Sequence, residues 1–156
     1  MINANDQQLH FAVYKPFGML SQLHSNDAKE LKNKKFLGEL HNFPHGTMPI
    51  GRLDEKSEGL LLMTTDGKLS DMINRSGIDK EYYVQVDGEI TTGALEQLSH
   101  GVTIGIAGEK YLTRPCAVRK LVMAPTLPEA DQKLRIGRHR QASWISITIS
   151  EDKCVK

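Results

Sequence analysis

The sequence has no apolar run of 18 residues, so it predicts no membrane-spanning helix. Its first eight residues, Met-Ile-Asn-Ala-Asn-Asp-Gln-Gln, lack the basic and apolar regions of a secretory signal peptide. Cysteine is scarce: Cys116 and Cys154 are too few for a disulfide framework and are typical of reduced thiols. These three absences predict a cytoplasmic protein with no attachment to a membrane.

Motifs for cofactors are missing as well. Neither the phosphate-binding pattern G-x-x-x-x-G-K-[ST] nor the dinucleotide pattern G-x-G-x-x-G occurs in the chain. His41 and His45 have the i, i+4 spacing of helical metal ligands, but Pro44 opposes the helix that would align them. The sequence therefore predicts neither a metal nor a nucleotide cofactor.

The composition is that of a globular protein. Residues of the AVILMFWYC set make up 39% of the 156 residues, and 13 glycines bring the apolar fraction into the usual range. A hydrophobic core can therefore form, and wholesale disorder is excluded. The length predicts one domain, or two small halves.

The net charge of +1 conceals an uneven distribution. Residues 110–140 contain eight Lys and Arg but two acids, which gives this segment +6 and the remaining 125 residues −5. Such asymmetry indicates a surface that faces a polyanion, and a solvated, charged hairpin is an equally good interpretation of the segment alone. The candidate contacts are Arg114, Arg119, Lys120, Arg135, Arg138 and Arg140.

Helical and strand periodicities alternate along the chain, which predicts an α+β fold. The predicted strands are Leu9–Lys15, Leu60–Met63, Glu81–Val86, Val102–Ile106, Glu109–Leu112, Cys116–Met123 and Trp144–Ile149. The predicted helices are Lys68–Arg75 and Ala94–His100, the second capped by Thr91 or Thr92 and ended by Gly101. Residues 24–47 and 124–142 are predicted loops, with one helical turn around Phe36, Leu37 and Leu40.

One short segment has the features of a reactive site. Residues 51–62 read Gly-Arg-Leu-Asp-Glu-Lys-Ser-Glu-Gly-Leu-Leu-Leu, so Asp54 lies in a loop that precedes an apolar strand. Arg52 is placed to keep this carboxylate charged, and a charged carboxylate can serve as a nucleophile or a general base. Alone, however, an aspartate in a loop is more often a turn or cap residue.

Two further motifs stand on either side of this segment: Tyr14-Lys15-Pro16-Phe17-Gly18 upstream and Lys80-Glu81-Tyr82-Tyr83-Val84-Gln85-Val86 downstream. The ordered set resembles the Rsu-type pseudouridine synthases, which act on ribosomal RNA. The resemblance implies a catalytic Asp54 and a Tyr82 that stacks on the target uracil. Arg52, Lys80 and Lys15 are further candidates for contacts with the substrate, the two lysines with phosphates near the flipped nucleotide, and a solvated lysine is the alternative for each. Tyr83 is expected on the opposite face of its strand.

The resemblance implies a particular fold and partner. The fold is the α+β pseudouridine synthase catalytic fold, a mixed, largely antiparallel sheet built from two ferredoxin-like (split βαβ) halves, at about 1–66 and 67–156, with flanking helices and loops. The expected protein is a single catalytic domain that acts as a monomer on ribosomal RNA, through base flipping and without a cofactor. Large-subunit RNA is the expected target, because the chain is similar to the short members of the family that have no S4 domain.

The end of the chain departs from the family pattern. Family members continue with E-G-[KR]-x-[RK]-Q-[VI]-R-[KR]-M after the last strand, whereas residues 151–156 begin this pattern and then stop. We therefore expect a C-terminal truncation, which leaves a non-catalytic RNA-binding domain as the alternative function. A third hypothesis is a glycoside hydrolase in which Glu55 or Glu58, both expected to be exposed, shares a pocket with Asp54.

Overall fold

The computed structural model describes residues 7–128 and 140–150. The chain divides into two compact units, Met1–Ser76 and Gly77–Lys156. Each unit contains a three-stranded antiparallel sheet. Among the described residues no helix is long and apolar enough to cross a membrane.

The first unit is built on a sheet of order β1-β5-β4. Its elements are β1 (His10–Lys15), β2 (Met19–Leu20), α1 (Ala28–Asn33), β3 (Lys35–Phe36), a 3₁₀ turn (Leu37–Glu39), β4 (Met48–Ile50), β5 (Gly59–Thr64) and α2 (Gly67–Arg75). Strands β2 and β3 form a separate parallel pair. The predicted helical turn is therefore confirmed as the 3₁₀ turn, while α1 and β3 replace part of the predicted loop.

The core of the first unit forms on one face of β5. Leu61 and Met63 are buried with Met19 and Leu37, whereas Leu60 and Leu62 are 68% and 40% exposed. Strand β5 is thus confirmed, but the apolar run is not buried throughout, because successive side chains of a strand point to opposite faces. Met19 and Leu37 pack on this face of β5, and that packing decides which of its side chains belong to the core.

Helix α2 begins at a well-formed cap and packs against β4 and β5. The Asp66 carboxylate accepts hydrogen bonds from the backbone N–H groups of Lys68 and Leu69, as N-cap side chains do. The helix therefore belongs to the first unit.

The second unit has a sheet of order β6-β10-β9 and a separate hairpin of β7 and β8. Its elements are β6 (Lys80–Val86), α3 (Thr92–His100), β7 (Thr103–Ile106), β8 (Glu109–Leu112), β9 (Ala117–Lys120) and β10 (Ser143–Ile149). The predicted strands, hairpin and helix are confirmed, with β9 shorter than expected. The Thr91 hydroxyl caps α3 by accepting a hydrogen bond from the N–H of Ala94, and Gly101 follows its last turn.

Candidate active site

Asp54 lies in the irregular loop that joins β4 to β5. Glycines bound this loop on both sides: Gly51 has φ of +73° and Gly59 has φ of +133°, values that other residues rarely adopt. The G-R-L-D-x-x-[ST]-x-G spacing therefore has a local structural reason. The two glycines let the chain leave one strand and enter the next within eight residues.

The backbone around Asp54 is held by Gly18 and Ser21, which lie on either side of β2. The Ser21 hydroxyl donates to the carbonyl oxygen of Leu53 at 2.6 Å and accepts from the N–H of Leu53 at 3.0 Å. On the other side of Asp54, the N–H of Gly18 donates to the carbonyl oxygen of Glu55 at 2.7 Å. The residues before and after Asp54 are thus fixed, while the Asp54 side chain itself remains exposed.

Lys15 supports this arrangement from within the unit. Its side chain is 0% exposed, and the ammonium donates to the carbonyl oxygens of Met19 at 2.7 Å and Pro16 at 3.1 Å. Burial lowers the pKa of the Lys15 ammonium, and the negative charges of Glu55, Asp54 and Glu58 oppose that shift.

The burial of Lys15 argues against its predicted direct contact with the substrate, because a phosphate would find no exposed ammonium. The Tyr14–Gly18 motif instead forms the support of the Asp54 loop, through the Lys15 ammonium and the Gly18 N–H. The Tyr14–Gly18 motif and the Asp54 loop are more than thirty residues apart in the sequence, yet a backbone hydrogen bond joins them in the fold.

The expected pairing of Arg52 with Asp54 is not formed. Both side chains are exposed, and no ion pair between them occurs in the described part of the chain. An exposed pair gains at most about 1 kcal/mol, too little to fix two mobile side chains. The Asp54 charge acts on Lys15, where it opposes the fall in the pKa of the ammonium that burial causes.

Glu55 and Glu58 are half-buried, contrary to the expectation that both are exposed. Glu55 forms a salt bridge with Lys34 at 2.7 Å. Burial, together with the nearby Glu58 charge, raises the Tyr14 pKa. Glu55 thus pairs with Lys34 and Glu58 lies near Tyr14, which weakens the glycoside hydrolase hypothesis.

The aromatic candidate of the second unit lies on β6. Tyr82 is half-buried and stands opposite Ile147 of β10, whereas Tyr83 stands opposite Ser146 and is 48% exposed. The two tyrosines face opposite sides of the sheet, since they are successive residues of one strand. Lys80, at the start of β6, is exposed.

The basic candidates of the second unit are exposed but largely compensated. Ion pairs join Arg119 to Glu81 at 3.4 Å, Arg140 to Asp87 at 3.0 Å, and Lys120 to Glu89. Arg114 is also exposed, and Arg135 and Arg138 lie outside the described residues. Acids from β6 and the turn after it thus offset part of the positive charge that the sequence concentrates in residues 110–140.

Within residues 7–128 and 140–150, no group of three or more His, Cys, Asp and Glu side chains is arranged to hold a metal ion.

A family model described as RNA pseudouridylate synthase matches residues 9–151. The chain is 36% identical over 141 residues to ribosomal large subunit pseudouridine synthase E of Xanthomonas campestris pv. campestris, covering 89% of the chain and 71% of that protein. It is 29% identical over 151 residues to ribosomal large subunit pseudouridine synthase B of Bacillus subtilis, covering 95% of the chain and 53% of that protein.

A solved structure gives the same result for the fold. A crystal structure of a pseudouridylate synthase superposes with a TM-score of 0.66 at 23% identity, covering 95% of this chain and 54% of the other. The chain thus spans about half the length of that protein and of the Bacillus relative.

Proposed function

The chain belongs to the RNA pseudouridylate synthase family, and we propose that it isomerises one uridine of large-subunit ribosomal RNA with Asp54 as the catalytic carboxylate. The resemblance to Rsu-type enzymes and the fold that it implied are confirmed by the family match and the solved structure. The choice of large-subunit RNA is supported by the names of the relatives. A monomer that acts in the cytoplasm is part of the same proposal.

One observation carries the assignment of Asp54. The backbone is fixed at Leu53 by Ser21 and at Glu55 by Gly18, while the carboxylate between them is exposed. A reacting group must be held in place and yet reach its substrate, since misplacement by about 1 Å can cost a factor of ~100 in rate.

The reaction requires no cofactor. The C1′–N1 glycosidic bond of uridine breaks, the uracil turns, and a C1′–C5 bond forms in its place; N1 gains the proton that C5 loses. The Asp54 carboxylate is proposed to start this sequence by attack on uracil C6 or by action at the ribose. Either route needs a charged, oriented oxygen that can form or stabilise a transient bond.

The target base must first leave its stack, which costs a few kcal/mol. We propose that Tyr82 offsets this cost by stacking on the extruded uracil, because its ring is half-buried on an ordered strand. Arg52 and Lys80 are proposed as substrate contacts, since both side chains are exposed.

The exposed basic residues of the second unit are proposed to contact RNA phosphates. Their ion pairs with Glu81, Asp87 and Glu89 lie at the surface, where such pairs contribute about 0–1 kcal/mol, so a phosphate can displace the acid. The residues concerned are Arg114, Arg119, Lys120 and Arg140, and the proposal extends to Arg135 and Arg138.

Tritium release tests the proposed function directly. Isomerisation removes the hydrogen from C5, so the purified protein is expected to release tritium from ribosomal RNA labelled with [5-³H]uridine. Release should stop at a fixed number of sites per RNA molecule. Absence of release from both naked and partly assembled large-subunit RNA would exclude the enzyme.

The alternative function is an RNA-binding domain without catalysis. RNA binding and tritium release, measured on the same preparation, distinguish it from the enzyme. Both hypotheses predict that RNA affinity falls steeply as salt rises, because phosphate contacts release counterions. Only the enzyme predicts tritium release. Binding that does not respond to salt would contradict the proposed role of the basic residues under either hypothesis.

Tyr82→Ala is expected to reduce kcat/KM by about 5- to 150-fold, because base stacking contributes about 1–3 kcal/mol. Tyr82→Phe keeps the ring and should stay within about threefold of the wild type. Tyr83→Ala, which removes the neighbouring ring on the opposite face, is the matched control. Equal losses in Tyr82→Ala and Tyr83→Ala would contradict a specific stacking role for Tyr82.

A further inference from the structure

Two clefts adjoin on the surface of the first unit. The first, of about 510 Å³, is lined by Ser21, Gly51, Arg52 and Asn74 among others. The second, of about 490 Å³, is lined by Gly38 and residues 41–48 together with Leu23 and His24. Both clefts are lined by Leu23, His24, Thr47 and Met48, so they are neighbours, and we call the pair the 24–47 groove.

One end of the 24–47 groove lies next to the Asp54 loop. Ser21, whose hydroxyl brackets the peptide groups of Leu53, also lines the groove, as does Arg52. Asp54 itself lines neither cleft, so Ser21 and Arg52 are the residues that connect the groove with the Asp54 loop.

The walls of the groove suit unpaired bases. No aspartate or glutamate is among the described residues that line either cleft, although the adjacent loop carries several acids. The side chains of His24, Asn42 and His45 are exposed and make no hydrogen bond with another described residue. Imidazole and amide groups can donate to and accept from base edges, and they introduce no negative charge opposite a phosphate.

An aromatic platform lies within the groove. The His41 ring packs edge-on against Phe43 at 5.1 Å, and Phe43 packs edge-on against Phe11 of β1 at 5.3 Å. The exposed imidazole of His41 is thereby oriented by rings that rest on the sheet. Bases of single-stranded RNA stack on such rings, histidine included.

We propose that the 24–47 groove binds the unpaired nucleotides that flank the target uridine, with His41 as the stacking platform and His24 and Asn42 as base contacts. The inference rests on the proposed function, which it extends from the target nucleotide to its neighbours. It gives residues 24–47, which the sequence predicts as a loop with one helical turn, a part in choosing the substrate.

Steady-state kinetics on ribosomal RNA test the groove. The triple variant His24→Ala, His41→Ala, Asn42→Ala is expected to raise KM about 10- to 100-fold and to leave kcat within about threefold, because it removes binding and not chemistry. His41→Phe keeps a stacking ring and should restore most of the affinity lost in His41→Ala. His100→Ala, an exposed histidine on α3, should match the wild type. A wild-type KM in the triple variant overturns the inference.

Cross-linking separates this inference from the proposed function, because it needs no turnover. RNA that contains 4-thiouridine, irradiated with the Asp54→Asn variant, should cross-link to peptides that include residues 21–24 and 41–48. If the wild type shows no turnover, the proposed function fails, and the cross-linked peptides alone then decide whether RNA binds in the 24–47 groove. Cross-links confined to other peptides contradict it whatever the activity.

Discussion

Asp54→Asn is expected to lower turnover by at least about 10⁴-fold, the loss typical of removing a group that reacts with the substrate. The amide has nearly the shape of the carboxylate but carries no charge, so it neither attacks nor accepts a proton. Ribosomal RNA affinity should stay within about threefold of the wild type, because the substitution removes no cation. Tritium release and filter binding measure the two quantities in one preparation.

The stability of Asp54→Asn should change little. The Asp54 side chain is exposed and forms no ion pair with another described residue, so the substitution removes only a long-range attraction to the Lys15 ammonium. Asp71→Asn is the matched control, since Asp71 takes part only in an exposed i, i+4 pair with Arg75. Turnover in Asp54→Asn within tenfold of the control would contradict the assignment of Asp54.

Lys15→Met should reduce the free energy of unfolding by about 2–6 kcal/mol, the largest effect on stability that we expect from one substitution. The methionine fills a similar volume but leaves the carbonyl oxygens of Pro16 and Met19 without their donor. A buried polar group without a partner costs about 1–3 kcal/mol. Urea unfolding followed by circular dichroism measures the change.

Lys68→Met is the control for Lys15→Met, because Lys68 is exposed on α2. Its free energy of unfolding should stay within about 0.5 kcal/mol of the wild type. We also expect Lys15→Met to lose activity beyond its loss of stability, since the turn that holds Gly18 against Glu55 depends on the ammonium. Unfolding of Lys15→Met at the wild-type urea concentration would refute the supporting role.

Elements with a clear period were predictable from the sequence. The alternation of β10 and the capped pattern of α3 specify each element within a few residues. The run that became β5 was recognised as a strand, but a continuous apolar run does not reveal which face is buried. The packing of Met19 and Leu37 against Leu61 and Met63 decides this, and it leaves Leu60 exposed.

Side-chain environments were harder to predict than elements. Nothing in Tyr-Lys-Pro-x-Gly distinguishes a buried lysine from a solvated one, because both partners of Lys15 are backbone carbonyls of the turn that follows it. Asp54 was identified by resemblance. The Ser21 hydroxyl makes hydrogen bonds with both the N–H and the carbonyl oxygen of Leu53, 32 positions away. No sequence pattern reveals these two hydrogen bonds.

The ion pairs of the second unit depend on strand register. Arg119 stands beside Ser146, which pairs with Tyr83, and this register brings the Glu81 carboxylate within reach of both Arg119 and Ser146. Counting charges along residues 110–140 finds the basic residues but not the acids of β6 and of the turn after it that pair with them. The charge asymmetry of the sequence is therefore smaller on the folded surface.

Mapping pseudouridines in ribosomal RNA from cells that lack this protein tests the central claim most directly. We predict that a pseudouridine disappears from large-subunit RNA, that the wild-type gene restores it, and that the Asp54→Asn gene, expressed to the same level, does not. An unchanged pseudouridine map, or restoration of the missing site by the asparagine variant, would contradict the account.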